Sequence, residues 1–524
     1  MKNKVMSVRD AAALVKDGDT VAISSAGLIG YPEYLSIGLA ERFDETGHPK
    51  DLTISAGCGH AIPVNPVWGD AKFGKPGMMR RYIASHPMTA APVMDRIVNE
   101  EIEGYCLPQG ILNQLYRASA AKQPGLLSKI GMGTYIDPRQ EGGKLNARSK
   151  EDMVKLMEID GEEWLFYKSY PVHVAMIRAT TADEDGNLSI EEEALKLEIM
   201  EIALAAKAQN GVVIAQVKHL AANGALKPRD VVVPGELVDA VVVAELPEEN
   251  HRQTKGTYYS PYLSGQLKKP AGAAGRPGET LSAEDVVCRR AVMELYPGCI
   301  VNIGLGIGAG IGAVAEIEGF LDKMTFTLEL GSFGGVPTPI SDFGAAICPT
   351  SFLSHPSMFD YYHGGNLDIA FLGTAETDRA GNVNVSKMGG RNAGQGGFID
   401  ISTTSKKTVF VSFFTAKGLK TSIADGKLKI DREGAVPKLV EHVAQITYNG
   451  SIALADGREA VYITERAVFK LTKDGLMLTE IAPGADLEKD ILAHMEFKPL
   501  ISDKVKLMDE RIFVPGRMGC FDLS

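Results

Sequence analysis

One carboxylate stands where an acid is expensive. In the stretch FTLELGSFGGVP, residues 326–337, Glu329 ends an apolar run and faces a series of glycines. A charge among apolar side chains costs free energy unless something uses it. A glutamate at a strand end can attack an acyl carbon and hold a covalent intermediate. Backbone N–H groups exposed by neighbouring glycines would stabilise the oxyanion that develops, and glycine lets substrate atoms approach the main chain closely. Glycine-rich turns recur at SSAGLIGYPE (24–33), NIGLGIGAGIG (302–312) and SKMGGRNAGQGGFIDIS (386–402). Four such turns, several at strand ends, suggest one site built from several parts of the chain.

A different chemistry fits the same residues. Gly304, Gly306, Gly308, Gly310 and Gly312 follow an apolar strand and open a helical pattern, a natural place for an anion. Gly308-x-Gly310-x-x-Ala313 matches a dinucleotide fingerprint, and Glu329 lies 21 residues after Gly308, near where a ribose-binding acid belongs. The competing register, starting at Gly304 directly after the strand, makes that match less distinct. A nicotinamide-dependent dehydrogenase therefore stays open on spacing alone, and an acyl-CoA thioesterase, in which water would be admitted to a thioester formed on the glutamate, stays open on the same scaffold. His60, His86, Lys387 and Arg391 lie close to these motifs and are read as structural or solvated groups.

The elements that must position these residues repeat. SVRDAAALVKDGDTVAI and SAEDVVCRRAVMELYPGCIVNI each read as a Ser-x-x-Asp helix start, an apolar stripe, a glycine stop and a strand, Thr20–Ile23 or Ile300–Ile303. LTISAGCG (52–59) lies over FTLELGSF (326–333), which places Ser55 opposite Glu329. VAMIRATTADEDGNLSI (174–190) lies over IAFLGTAETDRAGNVNV (369–385), each a strand, an Asp-x-x-Gly-Asn turn and a second strand. The offset is 274 residues for the second pair and 195 for the third, so the first copy carries 79 extra residues between them. Strands alternating with helical patterns predict two related open α/β domains with largely parallel sheets and the active site between them. The expected boundaries are residues 1–245, with an insert at about 59–173, a linker at 246–281 that includes KKPAGAAGRPGET, and residues 282–524 carrying the acid.

Composition narrows the class. The 524 residues are 45% hydrophobic and 23% charged with a net charge of -11, which argues against general nucleic-acid binding. No run of about 18 apolar residues predicts a membrane span, and the N-terminus shows no secretory pattern. Six scattered cysteines fit a reducing, cytoplasmic compartment. The ten histidines show no ligand spacing, so no metal is expected.

With these motifs in place the sequence resembles the family I coenzyme A transferases over nearly its whole length. AGLIGYPE, LPQGIL (107–112), NIGLGIG, LELGSFGG and GQGGFID (394–400) are similar to the family's five segments in order. Gly308 stands where the family often has proline, and Leu330 where the succinyl-type enzymes have asparagine. The chain as a whole, including GTYIDPR, looks most like the acetate/propionate branch. The resemblance implies a ping-pong transfer of CoA between short-chain carboxylic acids of the acetate, propionate, lactate or butyrate type. Glu329 would pass through an acyl anhydride to a glutamyl-CoA thioester. It further implies oxyanion or CoA-approach loops at Ala26, Gly27, Gly304, Gly306, Gly394, Gly396 and Gly397, and a place for Gln109 near the acid. No cofactor is implied, since CoA is a substrate, and a homodimer or homotetramer is expected.

Overall fold

The computed structural model describes residues 4–60, 68–268, 280–304, 306–338, 342 and 344–522. The chain forms two compact units. The first comprises Met1–Lys268, Glu329–Asp360 and Gly390–Asp400; the second comprises Lys269–Leu328, Tyr361–Gly389 and Ile401–Ser524.

The first unit is a parallel sheet of β1 (Thr20–Ile23), β2 (Leu52–Ala56), β3 (Met79–Ala84), β4 (Glu103–Cys106), β5 (Val174–Asp183), β6 (Val212–Ala221) and β7 (Ala240–Val243), in the order 7-6-5-1-2-3-4. β1, β2 and β5 are buried along their whole length, as expected when helices cover both faces of a parallel sheet. The second unit contains β8 (Ile300–Ile303), β9 (Thr325–Leu328), β10 (Ile369–Gly373), β11 (Lys407–Val411) and β12 (Glu459–Ile463), ordered 12-11-10-8-9 and again parallel. That order is the first unit's 7-6-5-1-2. The sheets differ in how they grow. The insert adds β3, β4 and helix Gln109–Ala120 beside β2, together with a small antiparallel sheet, Gly125–Ser128, Val154–Ile159 and Glu162–Lys168. The second unit instead grows beyond β12, through β13 (Ala467–Thr472), β14 (Gly475–Ile481) and β15 (Leu500–Leu507).

The repeated local signals form as expected. Ser7 caps helix Val8–Ala12 by accepting the Asp10 N–H, and Ser282 caps Ala283–Val292 in a full capping box with Asp285. In both Asp-x-x-Gly-Asn turns the aspartate accepts the asparagine's backbone N–H, at 2.9 Å for Asp183 and 3.0 Å for Asp378. Of the stretch expected as linker, residues 246–268 are described and lie in the first unit, where the Arg252 carbonyl accepts a hydrogen bond from Arg178. Residues 269–279 lie outside the described ones.

Strand register corrects one equivalence. Val21 pairs with Ile54 in the first unit, and Val301 pairs with Phe326 in the second. The Thr53 N–H reaches the Asp19 carbonyl just as the Thr325 N–H reaches that of Cys299. The residue equivalent to Glu329 is therefore Gly57, and Ser55 matches Thr327. The gapless alignment was two residues out. A slip of two keeps every side chain on its own face, so the apolar pattern could not reveal it.

Candidate active site

Glu329 follows directly on β9 and is half-buried. It belongs to the first unit, with the turn at residues 24–30, Cys58, Gln109 and residues 394–397. Its carboxylate is close enough to Cys58 to act on the thiol. Desolvation pushes that thiol up to about 12, the charges of Glu329 and Glu198 add to the rise, and the amides of Gly59 and Gly27 oppose it. The thiol therefore stays protonated at pH 7.

The turn after β1 is tight. The Ala26 N–H donates to Ile29 O at 3.1 Å and the Ile29 N–H to Ala26 O at 3.0 Å, with Gly27 at φ 62°. The Ser25 hydroxyl ties the turn from inside, donating to the carbonyls of Gly27 and Ile29. Ala26, Ile29, Leu195, Leu197, Leu330 and Ala345 form one apolar cluster, with Cys58 at its edge. Leu330, the neighbour of the acid, thus packs beside the turn.

Gln109 opens helix Gln109–Ala120 and is 1% exposed. Its backbone N–H donates to Gly396 O at 3.3 Å. The loop carrying Gly396 is pinned to the end of β3, since the N–H groups of Gln395 and Gly396 both donate to Ser85 O. Gly394 admits no side chain, because a Cβ there would lie 2.5 Å from Pro87. Gly397 is buried just before helix Phe398–Thr404. The Gln395 side chain accepts hydrogen bonds from the Tyr135 hydroxyl and from the Cys106 thiol, the latter at 3.0 Å.

The structure thus gathers Glu329, Ala26, Gly27, Gln109, Gly394, Gly396 and Gly397 in one unit. Gly304 and Gly306 belong to the other. There the Gly304 N–H donates to Phe371 O at 2.8 Å, and Gly306 sits at φ 93° with open space around it. The dinucleotide register fares poorly. Helix Ala309–Ile317 starts immediately after Gly308, so Gly308 and Gly310 lie in the helix start rather than in the preceding turn. Gly310 serves packing, since a Cβ would meet the Cys288 sulfur at 2.8 Å.

His60 is fully buried, 3.3 Å from Asp70, and Asp70 accepts the hydroxyls of Tyr31 and Tyr82. Burial lowers His86 to about 4, which leaves it neutral at pH 7. Arg391 pairs with Asp95 at the surface.

Sequence reasoning missed Glu198 and His355. Both are fully buried, and they link to Gln109 and to Ser25. Glu198 carried a readable signal, an acid between Leu197 and Ile199, the same anomaly that singled out Glu329. His355 carried none.

Comparison with known proteins places this geometry. A family model described as Coenzyme A transferase matches residues 5–244. The chain is 44% identical over 516 residues to the caffeate CoA-transferase of Acetobacterium woodii, covering 97% of each. It is 41% identical over 516 residues to the acetate CoA-transferase YdiF of Escherichia coli strain K12, covering 98% of this chain and 96% of that one. The crystal structure of apo acyl-CoA transferase YdiF from Escherichia coli O157:H7 superposes with a TM-score of 0.92 at 41% identity, over 99% of this chain and 97% of that chain. The same protein described as a thioester complex with CoA superposes equally well, at 0.92. Among the described residues no helix is long and apolar enough to cross a membrane. The chain is an enzyme of the family I coenzyme A transferases.

Proposed function

We propose that the enzyme exchanges CoA between short-chain carboxylic acids of the acetate and propionate type, in two half-reactions through Glu329. The carboxylate attacks the thioester carbonyl of an acyl-CoA, and the C–S bond breaks to give an acyl-glutamyl anhydride and CoA thiolate. The thiolate attacks the glutamyl carbonyl and releases the free acid, leaving a glutamyl-CoA thioester. A second acid reverses the sequence and departs with CoA. Atoms and charge balance without a metal, a cofactor or a general base, because the nucleophile is already an anion. The observation that carries this reading is the acid itself, at a strand end where the equivalent strand has a glycine. The Gln109 side-chain amide and the backbone N–H of Gly397 are the donors we assign to the acyl oxygen, since the Gly396 N–H is already bonded to Ser85 O. The apolar cluster around Leu330 favours an uncharged acyl chain over a second carboxylate. A cytoplasmic homodimer or homotetramer completes the proposal.

Trapping tests it. The enzyme is incubated with propionyl-CoA, reduced with borohydride and digested, and the peptide bearing residue 329 is weighed. A glutamyl-CoA thioester reduced to the alcohol loses about 14 mass units at that one residue. Glu329→Gln should remove the adduct and lower transfer by about 10⁴-fold or more. Consumption of thioester with an unmodified Glu329 would show that the nucleophile lies elsewhere. An acceptor panel of acetate, propionate, lactate, butyrate and caffeate then ranks the acids by kcat/KM, and preference for caffeate would overturn the short-chain assignment.

A further inference from the structure

A buried line of polar groups joins Gln109 to the turn after β1. The Glu198 carboxylate accepts the Ser25 backbone N–H on Oε1 at 3.1 Å and meets His355 Nδ1 with Oε2 at 2.8 Å. The other imidazole nitrogen, Nε2, meets Gln109 Nε2 at 2.8 Å. Glu198 and His355 are 0% exposed and Gln109 is 1% exposed. Gln109 and His355 are each the first residue of a helix, Gln109–Ala120 and His355–His363.

We propose that His355 and Glu198 are positioning residues that fix the orientation of the Gln109 side-chain amide. An ionised carboxylate only accepts, so Glu198 requires the proton on His355 Nδ1. A neutral imidazole then offers Nε2 as an acceptor, and a Gln109 N–H donates to it. A side-chain amide has two ends of nearly equal shape, and only its partners decide which way it faces. The imidazole selects the nitrogen end. It uses one N–H and leaves the second N–H of that same nitrogen to point elsewhere. The backbone of Gln109 is held separately, through its N–H to Gly396 O. Main chain and amide are thus fixed by different partners, as a donor aimed at a developing charge requires.

Packing alone gives no reason for these residues. Burying an acid and an imidazole is costly, and apolar replacements of similar volume are often as stable or more so. A fully satisfied polar network instead specifies one geometry.

The inference rests on the reading of Gln109 as a donor to the acyl oxygen, and a double-mutant cycle tests the two separately. CoA transfer from propionyl-CoA is measured for wild type, His355→Phe, Gln109→Ala and the double variant, with the melting temperature of each. His355→Phe should lower kcat by about 10²-fold, the cost of a misplaced group, with KM for propionyl-CoA little changed. In the Gln109→Ala background the same substitution should cost less than about twofold, since its effect has no other route. His355→Gln, which returns an amide near the position of Nε2, should recover part of kcat. It also serves, with Glu198→Gln, if the phenylalanine variant does not fold. An equal loss in both backgrounds, or a loss confined to KM or melting, overturns the relay. If Gln109→Ala leaves kcat intact while Glu329 still traps, Gln109 is off the reaction path and the relay falls while CoA transfer stands. If wild type transfers no CoA and traps nothing, the functional reading falls and the relay falls with it.

Discussion

β2 and β9 are the same element in two copies, and they end in opposite ways. Each carries a hydroxyl toward a helix: Ser55 meets the Tyr116 hydroxyl at 2.8 Å, and Thr327 meets that of Tyr362 at 2.8 Å. Two residues further along, on the same face, the first copy has Gly57 and the second has Glu329. A Cβ at Gly57 would lie 2.9 Å from Asn113 Oδ1, so the Asn113 amide occupies the space a side chain would need. Asn113 is held in turn by its own helix, donating to Gln109 O at 2.8 Å. The duplicated strand supplies the place, and the local neighbours decide whether it is filled from the strand or from a helix. The comparison also explains why a carboxylate can be kept at the second position: the fold is built without one at the first.

The strongest way to break this comparison is to give the first copy what the second has. Gly57→Glu should destabilise the protein heavily, because it adds both volume and a charge where the Asn113 amide is fully buried. Gly57→Ala is the milder form and should cost about 1–3 kcal/mol in urea unfolding. Asn113→Ala should restore part of that loss in the double variant, since the two compete for one space. A Gly57→Ala protein as stable as wild type would show that the strand end is roomy, and that its lack of an acid has another cause.

Acid should separate the two units next. His251 in the first unit is 4% exposed, with Nε2 3.2 Å from the Glu193 carboxylate. Burial, reinforced by the Arg178 guanidinium, lowers it from 6.5 to about 4. The unfolded chain thus takes up a proton at higher pH than the folded one. Stability is full above about 6.5 and declines as pH falls toward 4, by about 3 kcal/mol at most. In the second unit Glu433 is held below its ordinary 4.5; burial opposes this, and hydrogen bonds from Arg466 and Thr415 outweigh it. Its contribution is present above about 4.5 and is lost only as pH falls further. Urea midpoints from pH 7 to pH 3.5 should therefore show a slope between 6.5 and 4 that His251→Gln reduces, the remainder coming from His86, which burial lowers to the same range. Glu433→Gln should flatten the curve only below about 4.5. A wild-type curve flat down to pH 5 would contradict the His251 assignment.

Much of the fold was legible because parallel strands are apolar runs and the helix starts are chemical signals. The bounds Thr20–Ile23 and Ile300–Ile303, both serine caps and both aspartate turns are local features, read from a few adjacent residues. The register of β2 against β9 was not legible, because a two-residue slip leaves the buried face unchanged. The candidate site stood out in the sequence where it broke a local rule: Glu329 among apolar residues, and glycines in excess of what turns need. The relay was not legible, because Glu198, His355 and Ser25 meet only through tertiary structure, at separations of 157 and 173 residues. Asn113, which fills the space at Gly57, reads in sequence as one more polar residue on a helix.

The smallest expected difference concerns the two serine caps that open the copies. At Ser7 the hydroxyl oxygen accepts the Asp10 N–H at 3.1 Å, and the helix it starts, Val8–Ala12, buries only Ala11 and Ala12. At Ser282 the bond is reciprocal, with the Asp285 N–H to the hydroxyl at 3.2 Å and the Ser282 N–H to the Asp285 carboxylate at 2.8 Å. That helix, Ala283–Val292, buries Val286, Val287, Ala291 and Val292. Removing a serine cap costs about 0.5–2 kcal/mol, and the cost should scale with how much packed helix the cap registers. Ser282→Ala should fall near the top of that range and Ser7→Ala near the bottom, both read from urea midpoints at pH 7. Asp285→Ala should cost a similar amount to Ser282→Ala and add little to it, because the two residues share one box. Equal losses at Ser7 and Ser282 would mean that the cap contributes only its own hydrogen bond, and that the longer helix is held in place by its packed face alone.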